Sequence, residues 1–151
     1  MLFKALMKLI AIKINLQTLL YILAFVSFGI GDSVSGAHMM TVRGPYAEAN
    51  PVLRDMFITF GLEYMVLAKL WVTAIMLFAI HIYQWRHKGR IYWTVNGTLL
   101  AIIAGGLIGT YFNIRVLNGA MPSEPGLVIF IYAAIVLIFI ELGNLIDGPA
   151  S

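Results

Sequence analysis

The chain has 151 residues, 61% of them hydrophobic and 11% charged, with a mean hydropathy of +0.91. A soluble domain is about 45–50% apolar and about 25% charged, and a disordered chain is poorer still in apolar residues, so both classes are excluded. The formal net charge of +3 comes from basic residues near the ends of apolar runs, where they orient helices rather than mark a nucleic-acid surface.

There is no cysteine, which removes disulfides, thiolate metal sites and thiol catalysis together. At ~20 apolar residues per span the length suits four helices and short loops. The expected fold is therefore all-α: an integral membrane protein with one domain, residues 1–151, crossing the cell membrane several times. The spans fall at about 13–36, 60–85, 91–117 and 125–146.

The first apolar run starts near Lys13 and ends near Gly36. A basic start before an apolar run has the form of a signal peptide. This run is too long for one and lacks a small-x-small cleavage site, so a retained helix is expected. Residues 1–12, which carry Lys4 and Lys8, are expected along the interface with their lysines snorkelling. The second run, Pro51 to Trp85, is too long for a single span and is expected to bend near Gly61 or begin outside the hydrocarbon. Asn50 and Pro51 form a strong helix start. The third span carries Gly97, Ala101, Gly105 and Gly109 every fourth residue, widened by Gly106, and the first carries Ser27, Gly31 and Ser35. Such stripes let a neighbouring helix approach closely, and one of them is expected to remain free for a second chain. The fourth span, Pro125 to about Ile146, is unbroken and apolar.

Lys4, Lys8, Lys13, Arg86, Lys88 and Arg90 lie on one side of these spans, against Arg43, Arg54 and Arg115 on the other. The imbalance places both termini in the cytoplasm.

Charges inside spans cost several kcal/mol unless paired or solvated. Asp32 falls ~28 Å along the first helix from Lys13, which places it near the outer surface, and Lys69 ~9 Å below the outer end of the second span. An ion pair between them is the natural expectation. It could pin two helices or take part in ion or proton coupling; alternatively, Lys69 snorkels outward alone. Glu48 precedes the second helix as a cap or a ligand, and Asn113 reaches the same level from the third helix. His38 could join Asp32 in holding a metal, and His81, Glu141 and Asn96 could form a proton relay. Both are weak signals, so no metal or cofactor is expected. The tryptophans and the tyrosines near span ends read as an interfacial belt. No nucleophile elbow, HExxH, Walker loop or dinucleotide fingerprint occurs.

Asp32, Glu48-Ala49-Asn50-Pro51, Lys69 and Tyr111-Phe112-Asn113 resemble the pattern of an uncharacterised family of small prokaryotic multi-helix membrane proteins. The likeness covers about the first three helices. It implies that Asp32, Glu48, Asn50, Lys69 and Asn113 act together, and implies no activity or substrate. Two functions compete. The favoured expectation is a non-catalytic accessory or structural subunit of a respiratory or oxygenase-type complex, with other membrane subunits and the lipid bilayer as partners and no nucleic acid. The alternative is a small transporter, channel or intramembrane enzyme built on the polar set.

Overall fold

The computed structural model describes residues 15–87 and 89–148. Lys4, Lys8, Lys13, Lys88 and the interfacial stretch expected over 1–12 lie outside the described residues. All regular structure among the described residues is helical, and four of the helices are long and apolar enough to cross a membrane. They are α1 (Leu16–Arg43), α3 (Leu62–Arg86), α4 (Tyr92–Leu117) and α5 (Pro125–Asp147). The shorter α2 (Pro51–Phe60) lies between α1 and α3. The long helices run up, down, up and down, so the loops 44–50 and 118–124 share one end, called here the Glu48 end. The α3–α4 turn and the start of α1 share the other, the Gln17 end.

Local chemistry sets each boundary. Asn15 caps α1, its side chain accepting the Thr18 N–H at 2.7 Å. Asn50 accepts the Val52 N–H at 3.0 Å, and Pro51 supplies the first helical residue of α2. Gly61 stops α2 at a backbone φ of +86°, a conformation that side chains with a Cβ resist, and its N–H closes on Phe57 O at 3.0 Å. This is the physical form of the bend expected at that glycine. The start of α4 is capped from the far end of the chain. Asp147 accepts the backbone N–H groups of Trp93 and Thr94 at 2.9 and 2.7 Å. At the Glu48 end, Arg43 Nη2 donates to Leu117 O at 2.6 Å, which satisfies a free carbonyl at the end of α4.

The first span is longer than its sequence pattern indicates. The polar tail from Ala37 to Arg43 stays helical because Ala37, Met39 and Met40 are buried against Met65 and Val116. Asp32 therefore lies ~16 Å short of the helix end rather than near the surface. Within α1, Phe25–Gly31 forms a π-helical stretch in which the Asp32 N–H reaches back to Ser27 O. The wider turn slows the rotation of side chains around the axis, so a four-residue repeat stays on one face: Phe28, Asp32, Gly36.

α4 is the hub, packing against both α1 and α5, while α3 packs mainly on α1. Between helices this apolar, close backbone approach adds van der Waals attraction. The glycines provide it. A Cβ on Gly97 would collide with Phe139 O of α5, and one on Gly143 of α5 would lie 2.5 Å from Thr94 Cα. A Cβ on Gly106 would collide with the backbone of Ser27 and Phe28 of α1. Gly31 faces Thr110, and Ser35 accepts from Asn113 at 3.0 Å. The Ser27, Gly31, Ser35 stripe of α1 and the glycine stripe of α4 thus face each other, with Gly97 turned to α5. Among the described residues both stripes are taken up by neighbouring helices of the same chain, α1 and α4 packing on each other and α5 covering Gly97. Ala101 is buried in the same hub.

Between α1 and α4 the tightest glycine is Gly106, whereas Gly105 has ordinary room, its nearest neighbours being Phe28 and Tyr132 ring atoms at 3.9 Å. Gly106→Leu should accordingly destabilise the detergent-solubilised protein by about 3 kcal/mol through forced separation of α1 and α4. Leu137→Ala, at a site 63% exposed on α5, should change little. Thermal unfolding followed by near-UV circular dichroism separates the two outcomes.

Candidate functional site

Asp32, Lys69 and Asn113 converge about two turns below the Glu48 end, each from a different helix. Lys69 Nζ donates to Asp32 Oδ2 at 2.7 Å, and Asn113 Nδ2 donates to Asp32 Oδ1 at 3.1 Å. The two charged side chains are 12% and 13% exposed, so the pair is nearly but not fully enclosed. Asn113 also donates to the Asp32 carbonyl at 3.3 Å, which fixes α1 against α4 at this level. Gly109 allows the arrangement. A Cβ there would stand 2.5 Å from Asp32 Oδ1 and 2.7 Å from the Tyr132 hydroxyl oxygen, so both groups occupy space that only glycine leaves open.

Above this layer the loop between α1 and α2 folds Glu48 inward. Glu48 Oε1 accepts the Asn50 N–H at 2.8 Å. The other oxygen, Oε2, lies 3.8 Å from the position of a Gly36 Cβ, beside Asn113. Glu48 is thus not the cap of α2, a role Asn50 performs; it steadies the loop and turns its free oxygen toward α1 and α4. Burial pushes its carboxyl above the ordinary value. The Asn50 N–H and the Lys69 charge oppose that shift, and the Asp32 charge adds to it.

These groups surround a cavity of about 290 Å³. Asp32, Glu48, Lys69, Asn113 and Tyr132 form its polar wall, and Phe28, Met39, Phe112, Val116 and Ile129 its apolar walls. Three helices supply residues at helical spacing, 28 and 32 on α1, 109, 112, 113 and 116 on α4, and 125, 128, 129 and 132 on α5, while α3 contributes Lys69 alone. Asn50, Pro51 and Leu53 at the start of α2 also line it. The volume is near the lower end of that usual for small-molecule sites, and a mostly apolar lining with a few convergent polar groups is their usual character.

Below the polar layer the bundle is closed. Leu20, Ala24, Leu77, Val95, Leu99 and Ile102 form a buried apolar plug. Beneath the plug a second polar chain crosses the helices: Gln84 donates to Gln17 at 3.0 Å, and Gln17 donates to Asn96 at 3.3 Å. The Asn96 Nδ2 and the Tyr21 hydroxyl there find no partner among the described residues.

The other candidates separate. His38 is exposed and lines a different groove, with Thr41 and Glu63, away from Asp32. His81 packs edge-on against Tyr21 at 6.1 Å. Glu141 is exposed on α5, which packs on α4 and not on the helix of His81. Among the described residues, no three His, Asp or Glu side chains gather as metal ligands would. Tyr132 is the site residue that sequence reasoning passed over. Its signal was present as the one hydroxyl in the run LVIFIYAAIVLIFI, but nothing in the sequence shows that this face of α5 meets Gly105 and Gly109.

Comparison with known protein families, with curated proteins and with solved structures found no match to this chain.

Two predictions follow from the geometry. Lys69→Ala strands the Asp32 carboxylate and should cost about 3 kcal/mol, while the Asp32→Ala, Lys69→Ala double variant should cost clearly less. Equal losses in thermal melts would remove the coupling. Glu48 binds its proton more tightly in the folded state. Its contribution to stability is therefore complete below the ordinary carboxylate range and is lost as the pH rises through the raised value. Glu48→Gln should match the parent in acid and exceed it in melting temperature at neutral pH.

Proposed function

We propose that the chain is a small multi-pass membrane transporter whose solute site is the cavity at the Glu48 end. One observation carries this: the Asp32–Lys69 pair borders open space instead of close-packed side chains. A pair that served only to join α1 to α3 would be as well placed in a filled core. The apolar plug bears on the choice within the class. It interrupts the polar route through the bundle, which suits a site that opens alternately to the two ends better than a standing channel. The accessory-subunit reading, the one favoured from the sequence, drew its positive support from small-residue stripes available to partners, and both stripes are occupied within the chain.

The positive-inside imbalance supports an orientation with both termini in the cytoplasm, so the cavity faces outward. The parent lacks cysteine, so single-cysteine variants report cleanly. In intact cells, a membrane-impermeant maleimide should label Met121→Cys from outside and Arg90→Cys only after permeabilisation. The reverse pattern inverts the orientation.

Transport is tested by the plug. In right-side-out and inverted vesicles, Phe112→Cys should react from the Glu48 side, and Leu77→Cys should react slowly from the Gln17 side as the plug opens. A Leu77→Cys that never reacts while Phe112→Cys does would leave a static binding pocket and sink the transport reading.

A further inference from the structure

Building on the cavity as a solute site, we infer that it takes a small organic amine, a cation with an apolar body. The charges on its wall do not balance. Asp32 and Lys69 neutralise each other across 2.7 Å, and Glu48 remains as an additional acid. Lys69 is the one cation among the described residues lining the cavity. The nearby arginines are engaged elsewhere: Arg43 on Leu117 O, Arg54 over the Tyr46 ring at 5.4 Å and Arg115 beside the Tyr111 ring at 6.0 Å. Among the described residues an anion entering the cavity would therefore meet no free positive partner, while a cation would meet Glu48 Oε2, which receives no hydrogen bond from them.

Helix dipoles do not reverse this balance. α2, α3 and α5 begin at the Glu48 end and bring partial positive charge there, with Glu63 in the first turn of α3 opposing it. Asn50 already takes a free N–H of α2, and the acid Glu124 stands at the start of α5. The C-terminal ends of α1 and α4 bring the opposite partial charge to the same end of the bundle.

The remaining walls select the rest of the ligand. Phe28 and Phe112 offer aromatic surface, on which an ammonium group is attracted to the ring face. Met39, Val116 and Ile129 accept alkyl or aryl bulk. A volume of about 290 Å³ limits that bulk to a single ring or a short branched chain. A bare metal ion would leave most of the wall unmatched, because the acids present are few and the surface is chiefly apolar.

The test is equilibrium binding by saturation-transfer NMR and calorimetry to the purified protein in nanodiscs. Three probes of similar shape are used: benzyltrimethylammonium, the neutral neopentylbenzene and the anionic benzenesulfonate. The cation should bind about tenfold or more tightly than either of the others. Glu48→Gln should weaken it about tenfold, while Glu63→Gln, at an acid outside the cavity, should leave it unchanged. Melting curves of both variants confirm that they fold. A narrower variant, Val128→Phe, should block the probe by filling the cavity without touching its charge. Preferential binding of the anion or the neutral probe, still blocked by Val128→Phe, overturns the amine while leaving the cavity as a solute site. Binding of the cation that ignores both Glu48→Gln and Val128→Phe overturns the amine at this site. If no probe binds, both the amine and the cavity as a solute site fall.

Discussion

A carboxylate in an apolar surround is the constraint around which this bundle is organised. Asp32 cannot rest among hydrocarbon side chains unless its charge is matched and its oxygens receive hydrogen bonds. Lys69 supplies both to one oxygen, and Asn113 donates to the other. The three residues lie on three helices, so satisfying one acid fixes the relative height of α1, α3 and α4. Gly109 is then required, since a side chain there would displace the carboxylate. Gly106, one turn lower, brings the backbones of α1 and α4 close enough for Asn113 to reach. The π-helical turn between Phe25 and Gly31 ends at Asp32 and sets the angle at which its side chain leaves the helix.

The same arrangement produces a layered interior. A polar layer of glutamines and Asn96 is followed by the apolar plug around Leu99, then by the ion-pair layer, then by the methionine-rich cluster of Met39, Met40 and Met65. Polar layers specify register because slipping one helix by a residue would strand their groups, whereas apolar layers tolerate sliding. Two polar layers separated by a plug therefore fix the helices at two heights. They also make the interior one-ended. The ion-pair layer communicates with the cavity, and the glutamine layer is bonded across all three helices.

Much of this was legible in the sequence. The four spans, the break at Gly61 and the convergence of Asp32, Lys69 and Asn113 all follow from hydropathy, helix rise and the cost of burying charge. The end of α1 was hidden because Ala37 to Arg43 reads as polar; only the packing of Met39 and Met40 against other helices keeps it helical. The π-helical stretch has no reliable sequence mark. The use of the glycine stripes was half legible. Four-residue spacing shows that something packs closely, but it cannot say whether the neighbour is another helix of the same chain. Here Gly97 answers to Phe139 and Gly106 to Phe28, and both partners are internal. Tyr132 was missed for a related reason, since a tyrosine in an apolar run reads as belt or filler until the facing surface is known.

What the ion pair contributes can be judged against what would replace it. Apolar side chains of similar volume often hold a buried contact at least as well as a salt bridge, because the desolvation of two charges offsets most of their attraction. Stability alone therefore gives little reason for Asp32 and Lys69 where leucines would pack. The cavity beside them changes that comparison. Charges bordering open space keep part of their solvation, so the desolvation cost falls, and their field extends into the volume that Glu48 and Tyr132 also face. The lysine then acts chiefly on its neighbours: by neutralising Asp32 it permits a second acid, Glu48, to stand at the same cavity. Without Lys69, two carboxylates would face one apolar pocket and repel each other. With it, one acid is held in a pair and the other is left with a free oxygen, the asymmetry a site needs if it is to bind a cation and release it.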